Sequence, residues 1–285
     1  MQSLISYISA KINTKVTECI PVSGGDISTA YKLKTQSADL FLKINNHDNG
    51  SSMFREEALG LETIFQALKA GVPSVLLVDQ FESQALLLLE YVLPKSANSQ
   101  DFYQLGVHLA KLHSITNPHF GFKSNNFIGS LTQNNEPRHQ WIPFYVNNRL
   151  EPQLFLGRQL GFLDDKEVPS VDQLMIGLEQ RIGYCKPALL HGDLWSGNYL
   201  ISTNGQPYFI DPAVYFGHRE VDLAMTRLFG GFGDAFYEAY YEIWPKEAGE
   251  EERIELYQLY FLLVHLNLFG KSYKPAVIRI LRKYF

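Results

Sequence analysis

Cysteine is almost missing: the 285 residues hold two, Cys19 and Cys185, far apart and in no paired spacing. That excludes a disulfide framework and a cysteine-built zinc site, and it fits a reducing compartment. Eight histidines are present, but none falls in an HExxH or HxH pattern, so a histidine-held metal has no support. Surplus positive charge is missing too, since 25 Lys and Arg face 30 Asp and Glu for a net charge of −5. No broad basic surface can follow a nucleic-acid backbone, and nucleic acid is not an expected partner. Long apolar runs are equally scarce. ALLLLE (85–90) and YFLLVHLNLFG (260–270) are the most apolar, and both fall far short of a bilayer span. The start MQSLISYISAKINTK lacks a basic segment, an apolar run and a small-residue cleavage site, so it does not read as a signal peptide. Its Leu4, Ile5, Ile8 and Ile12 sit instead at helical spacing. The expectation is a soluble, cytoplasmic protein without membrane contact. No internal repeat or low-complexity tract stands out.

What is present is an ordinary globular composition, 46% apolar with scattered charge, in a chain long enough for one large domain or two lobes. After the first helix, TECIPV, TAYKLKT and DLFLKIN alternate as strands do, broken by SGGD and QSAD, and predict a meander of three antiparallel strands. Residues 53–70 place Leu61, Ile64, Phe65 and Leu68 at helical spacing and stop at Gly71 with Pro73 beyond. VLLVDQ and ALLLLEYV add two strands before Pro94 and the polar KSANSQ, where a change of lobe is expected. From residue 100 the period is helical, in DFYQLGVHLAKLHSI, WIPFYVNNRLEPQLFLGRQL and VDQLMIGLEQRIGY, with a Gly- and Asn-rich loop at 117–140; helices return from about residue 220. The fold class expected is α+β. A small antiparallel β-sheet lobe with a helix, residues 1–92, would precede a larger, mostly helical lobe, residues 93–285.

Residues 187–212 form an island of another kind: PALLHGD, LWSGN, YLIS, the turn TNGQ and PYFIDP. Asn204-Gly205 between two short apolar strands is a hairpin signal. That hairpin would bring Asp193, Asn198 and Asp211 to one edge. A phosphoryl-transfer site needs such a set: one carboxylate accepts the proton of the attacking hydroxyl, while an amide oxygen and a second carboxylate hold Mg²⁺ against the phosphates of ATP. Protein kinases write it HRDLxxxN followed by DFG, and here it is HGDLWSGN followed by IDP with the same interval from acid to amide. Alone, HGD is common and Asp193 could simply cap a turn; the specificity lies in the composite. His191 is read as a support for the loop.

The same design needs a glycine turn over the phosphates, a strand lysine and a helix glutamate. SGGDIS supplies Gly24 and Gly25, LFLKIN supplies Lys43, and Glu56 and Glu57 open the next helix, of which Glu57 is the preferred partner. LLLLEYV would present backbone groups of Glu90, Tyr91 and Val92 to the adenine edge. Each part singly is weak, because glycine pairs make ordinary turns and most lysines are solvated.

HGDLWSGN, with IDPAVYFGHREVDLAM (210–225), YQLYFLLVHLNLFGKSY (257–273) and FGFKSNNFIGS (120–130), resembles the fructosamine (ketosamine) 3-kinases, relatives of the aminoglycoside phosphotransferases. The resemblance implies a bilobal protein-kinase-like fold, with residues 1–92 as the ATP-binding lobe and 93–285 as the catalytic and substrate-binding lobe. It implies ATP- and Mg²⁺-dependent phosphorylation of the 3-hydroxyl of a ketoamine, either a small molecule or a glycated protein. Bacterial-type members often favour ribulosamines or erythrulosamines over fructosamines. It implies Asp193 as catalytic base, Asn198 and Asp211 as metal ligands, and Lys43 with Glu57 as the ATP-positioning pair. Aminoglycoside and choline kinases share the acid and amide but typically lack Trp195 and GHRE; a phosphotransferase of that kind and a non-catalytic nucleotide-binding regulator are the alternatives. Trp195 offers either a face for a sugar or ammonium-bearing substrate or a brace for the loop. Asp222 is assigned to anchoring the loop's backbone, and Arg219 and Glu220 to bracing. Some members carry a cysteine in the glycine loop, implicated in redox switching through disulfide-linked dimers. Asp26 stands in this loop, so no such switch is expected.

Overall fold

A computed structural model describes residues 1–22, 28–230 and 232–285. By its contacts the chain divides into two compact units, Met1–Ser96 with Leu200–Asp211, and Ala97–Tyr199 with Pro212–Phe285. No helix among the described residues is long and apolar enough to cross a membrane.

The first unit opens with α1 (Gln2–Lys11), whose Leu4 and Ile8, one turn apart, are buried. Then come β1 (Val16–Val22), β2 (Thr29–Thr35), β3 (Asp39–Asn45), α2 (Gly50–Leu68), β4 (Val75–Phe81) and β5 (Gln84–Glu90). The five strands make one antiparallel sheet in the order β1-β2-β3-β5-β4. Successive side chains on a strand point to opposite faces. Leu42 and Ile44 therefore join Leu4, Ile8, Leu33, Leu86 and Leu88 in a core under α1, and Lys43 between them is turned the other way. In register it faces Ala30 on one side and Leu87 on the other. Helix α2 buries Phe54, Leu61 and Ile64. It starts three residues earlier than its apolar spacing predicts and ends at Leu68. Lys69, not glycine, takes the left-handed conformation that closes it (φ 59°), and Gly71 follows at φ 78°.

The second unit begins with α3 (Ser99–His113), started by a capping box in which Asn98 and Asp101 each accept the other's backbone N–H, at 3.0 and 2.9 Å. The segment at 117–140 is not all loop. It holds the antiparallel pair β6 (Asn126–Ile128) and β7 (Leu131–Gln133), turned by Gly129 at φ 58°. The helical run from 141 is broken as well: α4 (Trp141–Tyr145) passes through a π-helical turn (Val146–Leu150) into α5 (Glu151–Gln159). Pro152 at the start of α5 has no N–H to give the preceding turn. After α6 (Val171–Glu179) comes β8 (Ala188–Leu190). The chain then forms the strands β9 (Tyr199–Ile201) and β10 (Pro207–Phe209), most of which belongs to the first unit, and returns through β11 (Tyr215–Gly217), antiparallel to β8.

Among the described residues the chain then runs through α7 (Glu220–Leu228), α8 (Asp234–Ile243), α9 (Glu250–Phe269), a 3-10 turn (Lys271–Tyr273) and α10 (Lys274–Tyr284). Helix α9 is apolar nearly all round, burying Leu256, Leu259, Tyr260, Phe261 and Leu263, as a central core helix does. Helices α3 and α8 approach so closely at Gly106 that a Cβ there would lie 2.2 Å from the Phe236 carbonyl oxygen.

Candidate active site

In the first unit three charged groups converge. The Lys43 ammonium donates to both Glu57 oxygens, at 2.8 and 2.9 Å, and to Asp211 Oδ1 at 3.1 Å. Strand alternation aims the lysine toward α2, which carries Glu57. Asp211 comes from 168 positions further along the chain. It arrives because the β9–β10 hairpin is tied into this unit: Lys95 N donates to Ile201 O at 2.8 Å, Thr203 N to Leu93 O at 3.2 Å, and Phe209 N to Gly71 O at 2.8 Å. Gly205 takes φ 83° in the turn, and Asp211 itself sits at φ 53°, a left-handed conformation that Asp tolerates better than most residues.

One cation thus serves two carboxylates. Burial opposes the charge on Lys43, yet Asp211 and Glu57 outweigh it and hold the ammonium above its ordinary value. Burial, joined by the like charge of Asp211, pushes the Glu57 carboxyl up to about 7, although Lys43 pulls it the other way.

In the second unit, residues 191–198 form a loop held from behind. Asp222, fully buried on α7, accepts the N–H of His191 at 2.7 Å and of Gly192 at 2.9 Å. His113 Nε2 lies 3.1 Å from the same carboxylate, and its Nδ1 lies 2.8 Å from the Tyr240 hydroxyl. A carboxylate only accepts, so His113 carries its proton on Nε2 and takes the Tyr240 O–H on Nδ1. Burial holds His113 below its ordinary value, which keeps the ring neutral. Gly192 must be glycine twice over: its φ is +87°, and a Cβ would stand 2.1 Å from Ala213 O. His191 is buried, and its Nδ1 accepts the Asp193 N–H at 3.2 Å.

At the loop's tip, Asn198 Nδ2 donates to the Asp193 backbone oxygen at 2.8 Å and to Asp193 Oδ2 at 3.1 Å. The Asn198 amide is thereby tied to Asp193 through its nitrogen, and neither of these bonds uses its oxygen. Trp195 does two things in this loop. Its ring lies against Gly197, where a Cβ would come within 2.4 Å of it, and the side chain is still 38% exposed. Arg219 pairs with Glu247 at 2.9 Å, and Glu220 takes a two-pronged bond from Arg253 at 2.7 Å per contact.

The strand-end segment is partly committed. Glu90 N donates to Ser74 O at 2.9 Å and Tyr91 N to Asp39 O at 3.3 Å, whereas the Val92 N–H has no hydrogen bond among the described residues. Gly24, Gly25 and Asp26 lie outside the described residues. Sequence reasoning missed the amide network behind β11. There the Tyr260 hydroxyl donates to Gln133 Oε1 at 2.7 Å, Gln133 Nε2 donates to Asn126 Oδ1 at 2.8 Å, and Asn126 Nδ2 donates to Val214 O at 2.8 Å. Its members are spread from 126 to 260, and only the Asn-rich composition at 125–135 hinted at them.

Comparison with known proteins converges on one group. The sequence matches the fructosamine kinase family over residues 1–285. A probable ketoamine kinase of Enterococcus faecium is 38% identical, covering 100% of this chain and 99% of its own. A protein-ribulosamine 3-kinase of Arabidopsis thaliana, described as chloroplastic, is 36% identical over 95% of this chain and 83% of its own. The crystal structure of a Thermobifida fusca protein bearing the fructosamine-3-kinase name superposes with a TM-score of 0.87 at 31% identity, covering 99% of this chain and 98% of that one. An aminoglycoside phosphotransferase crystallised with ADP and hygromycin B shares the fold, with a TM-score of 0.63 at 16% identity and 98% of each chain covered. With the whole length matched and the sheet, α2 and helical part arranged as in these kinases, the chain belongs to the fructosamine kinase family.

Proposed function

We propose that this kinase transfers the γ-phosphoryl group of ATP to the 3-hydroxyl of a ketoamine, a ribulosamine, erythrulosamine or fructosamine on a free amine or a protein lysine. Asp193 takes the proton of the attacking hydroxyl. Lys43, positioned by Glu57, binds the nucleotide phosphates, and the Val92 N–H is left for the adenine edge. The Trp195 face receives the sugar or its ammonium group. The observation that carries this reading is the Lys43 ammonium held jointly by Glu57 and Asp211.

Asn198 and Asp211 supply oxygen donors alone, and among the described residues no group of three or more His, Cys, Asp or Glu is disposed to hold a metal. That donor set suits Mg²⁺, which takes one or two protein oxygens and completes its shell with phosphate and water, and it does not suit zinc. When bound, the ion would neutralise charge on the phosphates.

The product follows from ordinary carbonyl chemistry. The C2 carbonyl acidifies the C1 protons, and enolisation toward C1 gives a 1-amino-1-en-2-ol. Its nitrogen lone pair expels phosphate from C3, leaving an imine at C1, and addition of water across that imine frees the amine and a 3-deoxy-2-ketoaldehyde. The decisive test is incubation with ATP, Mg²⁺ and ribulosyl-lysine, which should add one phosphate's mass to the substrate. Asp193→Asn should lower turnover by about 10²- to 10⁴-fold with ATP binding nearly intact. An unchanged rate removes Asp193 from the role of base. Turnover of aminoglycosides or choline in place of every ketoamine removes the substrate assignment.

A further inference from the structure

Helix α10 carries a second kind of surface. A groove of about 800 Å³ runs between it and the short turn that carries Glu167. Its lining includes Pro275, Ile278 and Arg282, which recur at intervals of three and four on one face of α10, and Lys271 from the 3-10 turn (Lys271–Tyr273) that leads into the helix. The opposite face, with Val277, Ile280, Leu281 and Tyr284, is buried in the second unit. Several of the groove's cations are already engaged. Lys274 pairs with Glu167 at 2.8 Å, Lys283 with Glu255 at 2.5 Å, and Arg279 also reaches Glu255. Lys271 and Arg282 form no direct ion pair among the described residues, although, after the Asp164 backbone N–H, the Arg282 charge helps hold the Glu167 carboxyl low, and both are exposed. This basic stripe stands on a protein whose net charge is −5.

We propose that the groove is a docking site for an acidic polypeptide segment bound in extended form. From Lys271 in the 3-10 turn to Arg282 in α10 the backbone rises about 18 Å, at about 2.0 Å per residue in the turn and about 1.5 Å in the helix. A lone phosphate cannot reach both. In an extended chain, carboxylates four residues apart point the same way and stand about 13 Å apart, and the long lysine and arginine side chains close the remainder. The residue midway between them shares that face and meets Pro275 and Ile278, so the sequence that fits is Glu-x-Leu-x-Glu. An anionic bilayer is the poorer occupant, because the apolar face of α10 is already buried and has nothing to insert. The proposal is independent of the kinase assignment.

The test uses the full-length enzyme and a fluorescein-labelled peptide, Ser-Glu-Ser-Leu-Ser-Glu-Ser, followed by anisotropy at low ionic strength. The expected result is saturable binding that weakens at least tenfold when both glutamates become glutamine. It should weaken at least tenfold again in the double variant Lys271→Glu/Arg282→Glu, whose turnover of a small ketoamine and whose circular dichroism stay unchanged. Equal binding of the glutamine peptide, or equal binding by the double variant, overturns the proposal. So does tighter binding to an RNA oligonucleotide, to inorganic phosphate or to phosphatidylserine vesicles than to the peptide. As a second variant, Ile278→Ser should weaken the leucine peptide while leaving a peptide with glycine at that position unaffected.

Discussion

Removal of the Asp222 carboxylate tests how the loop bearing Asp193 is held. In Asp222→Ala, the His191 and Gly192 N–H groups and the His113 Nε2–H lose their acceptor at a site with no solvent exposure. A buried donor left unsatisfied costs about 1–3 kcal/mol, and breaking a buried charged network by deleting one partner costs about 3–5 kcal/mol. The second figure is the better guide here, since the vacated space can admit a water that serves part of the set. Against a domain stability of about 5–15 kcal/mol, that loss is severe but measurable. Asp222→Asn keeps one acceptor oxygen and turns an NH₂ toward the remaining donors, so about half the loss is expected. All three tryptophans, Trp141, Trp195 and Trp244, lie in the second unit, so their fluorescence during urea unfolding reads the relevant transition. The midpoint should fall in the order wild type, Asn, Ala with the slope unchanged. Turnover should fall in both variants under conditions where they remain folded. A loss below about 1 kcal/mol in the alanine variant, or an asparagine variant no better than alanine, would refute the view that this carboxylate anchors the loop.

Three further outcomes are expected. On the proposed role of Lys43 as the nucleotide's phosphate ligand, Lys43→Met should lower kcat/KM for ATP by about 10²-fold or more, and single-turnover kinetics against ATP concentration checks it. Gly106→Ala should destabilise the protein although alanine is favoured in a helix interior by about 1 kcal/mol, since the added methyl meets the Phe236 carbonyl; urea titration with a stabilised variant would contradict the close packing of α3 and α8. Burial, and then the charges of Arg219 and Arg253, push His218 down to about 3, while His113 is lowered too. The unfolded chain therefore takes up protons near pH 6.5 that the folded chain refuses, so stability conferred by the neutral rings is present above that pH and is lost as pH falls toward 3. His218 alone contributes a slope of at most about 1.4 kcal/mol per pH unit in that window, and unfolding free energies measured from pH 7 to pH 4 should flatten in His218→Gln.

Much of this arrangement was legible because its signals are local. Alternation in DLFLKIN sets which face Lys43 occupies, and the spacing in HGDLWSGN sets a loop short enough for Asn198 to reach back to Asp193. Asn204-Gly205 announced a hairpin, but nothing near it announced that Leu93, Lys95 and Gly71 would receive its backbone. The pairing of Asp222 with the loop could be inferred from kinase-like chains, whereas its further link through His113 to Tyr240 depends on how α3, α7 and α8 pack. Residues 117–140 read as loop since Gly and Asn dominate there, and the three-residue strands they contain are too short to show a period. The π-helical turn at 146–150 was hidden for a different reason: apolar spacing across it is nearly that of an unbroken helix.

The late return of the chain at β9 and β10 also bears on synthesis. The first unit acquires Asp211 only after more than two hundred residues have left the ribosome, so its sheet emerges early but closure of the Lys43 cluster waits on a contact of high sequence separation. A fragment ending at Ser96 would keep all five strands yet retain Lys43 and Glu57 without their third partner. Supplying the hairpin through a short artificial linker after Ser96 would restore that third carboxylate within a single contiguous chain.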